Sequence, residues 1–243
     1  MASTGDPWSG RAVRLLASVA DLEEVATACA LGADLIDLKD PVRGSLGAWP
    51  LALMPKAVEQ VAGRCPVSAT IGDLPMEPGL LVDAVHTIAA TGVDLVKVGF
   101  FQGGDHARCA EALGAVARSG GIRLVAVLMA DQRSEPGFLL TLARAGFHGV
   151  MLDTADKAAG GLRVHRCDAA LGQIVRRARS LGLLTGLAGS LSVADIPFLA
   201  ALGPDYLGFR GALCRGGRAG PLDPGAFQEV RAALDRAVAR NAA

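Results

Sequence analysis

The sequence predicts a single (β/α)8 barrel. Short apolar, β-rich runs alternate with Ala-, Leu- and Arg-rich runs of helical period. Eight such pairs in 243 residues give about thirty residues per unit. The strand candidates are almost unbroken apolar stretches, as expected of parallel strands covered on both faces.

The elements follow in order. Strands are expected at 13–19 (VRLLASV), 34–39 (DLIDLK), 66–72 (PVSATIG), 94–100 (DLVKVGF), 122–129 (IRLVAVLM), 149–154 (GVMLDT), 183–190 (LLTGLAGS) and 206–212 (YLGFRGA). Helical stretches such as DLEEVATACALG, EPGLLVDAVHTIAATG and DAALGQIVRRARSLG lie between them and tend to end at glycine, as helix C-termini do. Trp49 and Pro50 begin the second helix, with Lys56 early in it, and Ser192 stands at the N-cap of SVADIPFLAALG. A doubly wound open sheet is the alternative, but SVADLEE follows the first strand where a GxGxxG turn would stand. Residues 1–12 are expected to be a tail and 13–243 the barrel domain, since no linker or shift in composition divides the chain.

Composition excludes several classes. Twenty-four basic and 24 acidic residues cancel with no long block of either sign, so neither nucleic acid nor a membrane surface is an expected partner. Five scattered cysteines without a CxxC favour reduced thiols in a cytoplasmic protein. No signal-peptide or membrane-spanning run is present. His86, His106, His148 and His165 have no ligand-like spacing, and no metal is expected. A homo-oligomer is the expected assembly, given 51% hydrophobic residues, although the barrel's own helices also need apolar faces.

The chain has four lysines against twenty arginines, and three of the four map to the C-terminal ends of strands, where barrels build their active sites. Lys39 ends the second strand, Lys97 lies in the fourth, and Lys157 follows the sixth. Steps of 58 and 60 residues place them on alternate strands, which feed the same interior layers. Lys39 and Lys97 are therefore expected to approach across the mouth. Asp37 shares a strand face with Lys39, Asp153 ends the sixth strand, and Asp73 follows the third on the substrate side. Loop charges or structural ion pairs would explain one such lysine. Three together point to amine chemistry, because a desolvated or crowded amine can lose its proton and attack a carbonyl. The TADKAAGG stretch is either a lid or an ordinary loop.

The seventh strand ends in LAGS and the eighth in FRGALCRGGRAG, where this fold commonly binds phosphate. Gly189, Ser190, Arg210 and Gly211 are the candidate phosphate ligands, with Arg215 and Arg218 adding charge. Tight turns and helix caps would also account for the glycines.

DLKDPVRGSLGA, VSATIGD, VKVG, MLDT followed by Lys157, LAGSL and RGALC resemble the (5-formylfuran-3-yl)methyl phosphate synthases, or 4-(hydroxymethyl)-2-furancarboxaldehyde-phosphate synthases. That family opens methanofuran biosynthesis in methanogens and has relatives in methylotrophic bacteria, which make methylofuran. The matches run from the first strand to the eighth. The resemblance implies a cofactor-free lyase that condenses two molecules of glyceraldehyde 3-phosphate with loss of phosphate and water. It implies Lys39 as the Schiff-base amine and Lys97 as proton acceptor, with Asp37, Asp153 and Lys157 assisting. Asp37 is expected to hold the Lys39 amine. Asp40 stands where archaeal members carry Asn, and the loop after the eighth strand is richer in arginine. A Schiff-base aldolase, a triose-phosphate isomerase-like enzyme and a non-catalytic phosphosugar-binding barrel are the alternatives.

Overall fold

The computed structural model describes residues 13–132 and 137–241. The predicted tail, 1–12, lies outside them. The strands are β1 (Arg14–Val19), β2 (Leu35–Leu38), β3 (Val67–Thr70), β4 (Leu95–Phe100), β5 (Leu124–Met129), β6 (Gly149–Asp153), β7 (Leu184–Leu187) and β8 (Tyr206–Phe209). The helices are α1 (Leu22–Ala30), α2 (Met54–Val61), α3 (Pro78–Ala89), α4 (His106–Gly120), α5 (Phe138–Ala145), α6 (Leu162–His165), α7 (Asp168–Ser180), α8 (Ile196–Ala201) and α9 (Pro224–Asn241). The strands pair in parallel in chain order and close into a barrel, with Arg14 of β1 in register with Tyr206 of β8.

Alternation along each strand sorts the side chains into two layers. Leu15, Ala17, Ile36, Leu38, Val96 and Val98 point outward and pack under the helices. Leu16, Leu35, Leu95, Val125, Val127, Met151 and Tyr206 fill the barrel interior. Each aliphatic side chain buried in these layers contributes roughly 1.5–3 kcal/mol. Helix ends follow local chemistry. Asp21 and Asp105 cap α1 and α4 by accepting from the amides of Glu24 and Arg108 (2.8 and 2.9 Å). Ser192 and Asp195 form a capping box on the turn that leads into α8. Gly121 and Gly146 end α4 and α5 in the left-handed conformation.

Several strands are shorter than the sequence suggests. β7 stops at Leu187, where the chain bends away from the ladder through Gly189 and Ser190 (φ +103° and +48°), and β8 stops at Phe209, just before a tight turn over Gly211–Leu213. At the opposite rim one device recurs. Asp34, Asp94 and Asp205, each just before a strand, accept from the first amides of the neighbouring strand at Leu15, Val67 and Thr185 (2.7–2.8 Å).

Two ties position the mouth. The loop after β2 is tied down by its neighbours: Asp73, just past β3, accepts from the amides of Ser45 and Leu46 (2.8 and 2.7 Å), Thr70 of β3 donates to the Gly47 carbonyl (3.1 Å), and Trp49 donates to the Val19 carbonyl (3.0 Å). Leu46 is thereby driven into the interior layer beside Gly99 of β4. At the seam between β8 and β1, the Glu24 carboxylate accepts from the Ala20 and Leu222 amides and pairs with Arg210.

Candidate active site

The mouth holds a cavity of about 370 Å³. Its floor and walls come from β1, β2, β6, β7 and β8, with Ser18, Lys39, Asp153, Lys157, Gly189 and Arg218 among the lining. The β3–β5 side is closed by the inserted Leu46 and by Phe101, both against Gly99.

The charged side chains divide into two sets. At the cavity wall, Lys39 at the end of β2 and Lys157 in the β6–α6 loop both engage Asp153. Lys39 Nζ lies 3.4 Å from Oδ2, while Lys157 donates to Oδ1. The Thr154 amide also donates to Oδ1 (2.8 Å), and Lys157 reaches Thr154 Oγ1 (3.3 Å). Burial alone would raise the Asp153 carboxyl, but the two lysines outweigh it and hold the pKa at about 2. Burial pulls the Lys157 amine below its usual value. Asp153 opposes that pull and Lys39 adds to it.

The second set lies deeper. Lys97 Nζ sits 2.9 Å from Asp37 Oδ1, with both residues 1% exposed. Ser68 Oγ donates to the same oxygen (2.7 Å) and Ser18 Oγ to Oδ2 (3.1 Å). The Tyr206 ring lies 6.0 Å from the amine. Lys97 makes no well-directed hydrogen bond despite its ion pair. Burial lowers its pKa more than Asp37 raises it. Asp37 is lowered despite burial, by Lys97 first and then Lys39.

Asp37 thus holds Lys97, and Asp153 holds Lys39. Lys97 pairs with Asp37 and stands off the cavity lining that Lys39 borders, yet the Lys39 charge is near enough to help lower the Lys97 pKa. The two loops expected to hold phosphate do border the cavity. Among the described residues no hydrogen bond engages the amides of Gly189, Ser190, Gly211 or Ala212. Arg210 is directed elsewhere. Its five donors go to Glu24, twice, and to the carbonyls of Ser18, Arg218 and Gly220, so none is left for a ligand. Asp73 holds the β2 loop, Arg215 is exposed and pairs with Asp223, and Lys56 is exposed on α2. Arg218 remains on the cavity and donates to the Gly44 carbonyl (2.8 Å), joining the β8 and β2 loops. Ser18 was not among the sequence candidates. Its signal is a hydroxyl two residues after Leu16, on the inward face of an otherwise apolar strand.

Two lysines (Lys39 and Lys157) therefore engage one carboxylate, and Arg218 lines the same cavity beside unengaged amides, an arrangement suited to an anionic carbonyl compound. Among the described residues no helix is long and apolar enough to cross a membrane, and no three His, Cys, Asp or Glu side chains converge as metal ligands would.

A profile of the 4-HFC-P synthase family matches residues 15–231. The (5-formylfuran-3-yl)methyl phosphate synthase of Methanocaldococcus jannaschii is 38% identical over 219 residues, covering 84% of this chain and 91% of that one. The synthase of that name from Methanosarcina mazei is 36% identical over 219 residues, 85% and 92% of the two chains. A Methylorubrum extorquens protein carrying the name provisionally is 46% identical over 202 residues, 83% of each chain. Among solved structures, 3-hexulose-6-phosphate synthase from Salmonella typhimurium superposes with a TM-score of 0.65 at 16% identity, over 93% of this chain and 100% of that one. Phosphoribosyl anthranilate isomerase from Thermus thermophilus gives 0.64 at 16%, over 92% and 99%. Both likenesses concern the barrel fold.

Proposed function

Since the chain belongs to the 4-HFC-P synthase family, we propose that it condenses two molecules of glyceraldehyde 3-phosphate to (5-formylfuran-3-yl)methyl phosphate, releasing one phosphate and two waters. The observation that carries this reading is the placement of Lys39. It is an amine on the cavity wall, 6% exposed, across from a carboxylate and beside a loop pair with free amides.

The phosphate of one triose is held by the amides of Gly189, Ser190 and Gly211 and by the Arg218 guanidinium. Lys39 adds to its aldehyde, and loss of water gives an iminium ion. Asp153 orients the amine and takes up and returns the protons of that step. The iminium acidifies the adjacent C–H bond, and its loss gives an enamine that attacks the second aldehyde. Lys157, drawn toward the neutral form by burial, serves the later dehydrations from the same wall. Phosphate loss and ring closure leave the furan. The residues suffice without a cofactor. Free cysteines favour a reducing cytoplasm as the setting.

The test is incubation with glyceraldehyde 3-phosphate. The furan absorbs in the near ultraviolet, whereas aldol or isomerase products do not. Borohydride should trap the triose on Lys39. Trapping and full activity in Lys39→Ala would overturn the assignment.

A further inference from the structure

Lys97 poses a problem for this chemistry. It is 1% exposed, pairs with Asp37 and does not border the cavity. The bonded path from its ion pair to the cavity runs from Asp37 Oδ1 through the carboxylate to Oδ2, and from there to Ser18 Oγ at 3.1 Å. Ser18 lines the cavity. Its neighbour on the same carboxylate, Ser68, is fully buried, donates to the other oxygen (2.7 Å), and does not. One carboxylate thus carries two serine donors, of which one faces the cavity.

We propose that Ser18 is the hydroxyl through which the buried Asp37–Lys97 pair takes a proton from the substrate. The assignment rests on the synthase reading. The C–H bond next to the iminium breaks, and its electron pair becomes the enamine double bond and neutralises the iminium nitrogen. The proton forms a new O–H bond at Ser18 while the serine's own proton passes to Asp37. A turn of the Asp37 carboxyl then carries that proton from Oδ2 to the neutral Lys97 amine at Oδ1, leaving a carboxylate beside an ammonium. The hydroxyl already points at Asp37, so its lone pairs are free to accept from the cavity side. Burial lowers the Lys97 pKa more than Asp37 raises it, in the direction of the neutral amine that the relay uses. The other charged or titratable groups around the relay are Lys39 on β2, Asp153 on β6, and Tyr206 and Arg210 on β8. Arg210 donates to the Ser18 carbonyl (3.3 Å).

The experiment compares Ser18→Ala, Ser18→Thr and Ser68→Ala with the unmodified chain. Three readouts are needed: borohydride trapping, washout of deuterium from the carbon next to the aldehyde, and furan formation against pH. Ser18→Ala should still trap the imine but lose deuterium washout and furan formation by roughly 10²–10⁴-fold, the range of a lost proton-transfer group. Ser18→Thr should recover most of both. Ser68→Ala should shift the pH profile while keeping washout. Washout in Ser18→Ala within a few-fold of the unmodified chain, or parallel loss of trapping and washout in every variant, would overturn the relay. If the unmodified chain makes no furan, the synthase reading fails instead.

Discussion

Lys39 and Asp153 face each other across the barrel mouth, Nζ to Oδ2 3.4 Å, although 114 residues separate them in the chain. The same carboxylate holds Lys157 through its other oxygen. Asp153→Asn keeps the shape and removes the charge, leaving two cations facing each other over a neutral amide. Furan formation should fall by about 10²–10⁴-fold in kcat/KM. A loss under about tenfold in steady-state kinetics would remove Asp153 from the proton-transfer steps.

Acid should loosen the fold through the same residue. The unfolded chain protonates this carboxyl near its reference value of 3.8, whereas the folded chain resists until about 2. The stabilisation is therefore complete above the unfolded value and drains away as pH falls toward the folded one, by about 2 kcal/mol for Asp153. Asp37 shifts in the same direction. Urea unfolding at several pH values should show this loss, and Asp153→Asn should flatten it. An equally steep profile in the variant would contradict the assignment.

Arg210 and Arg218 should respond oppositely to truncation. Arg210→Met strands the buried Glu24 carboxylate and should cost about 3–5 kcal/mol in denaturant unfolding. Arg218→Ala removes one half-buried hydrogen bond to the Gly44 carbonyl, should cost only about 1 kcal/mol, and should instead raise the KM for the triose phosphate. If Arg210→Met remained stable and lost only substrate affinity, the two roles would have to be exchanged.

Gly44 and Gly32 provide a matched pair. Both have positive φ, +122° and +82°. A methyl group at Gly32 meets nothing within 4 Å, whereas one at Gly44 is driven into the Asp73 carboxylate. Gly32→Ala should cost about 1–2 kcal/mol for the backbone alone. Gly44→Ala should cost more and reduce activity as well, because Asp73 holds the loop that seats Leu46. Equal thermal shifts with equal activity would show that the loop tie is immaterial.

The barrel was legible because nearly continuous apolar runs recur about every thirty residues, a pattern read directly along the chain. The strand-end lysines were legible for the same reason. The pairing of charges was not. Asp37 and Lys39 share a face but stand two strand residues, roughly 6.6 Å, apart, so each finds a partner on another strand. Arg210 looked like a phosphate ligand because its partner, Glu24, is 186 residues away. Asp73 reaches its amides across 28 residues of chain. Ser18 was passed over because a small hydroxyl in an apolar strand resembles ordinary packing. Only the closed barrel shows that it separates a cavity from a buried ion pair.

The Glu24 seam also bears on how the chain is made. During synthesis the first βα unit emerges with a carboxylate whose principal partners, Arg210 and the Leu222 amide, are among the last to leave the ribosome. A nascent fragment lacking the final unit would carry an unpaired charge on α1 and an open β1 edge. The last unit thus completes the first, and a chain cut short before residue 210 leaves the Glu24 carboxylate without its guanidinium partner.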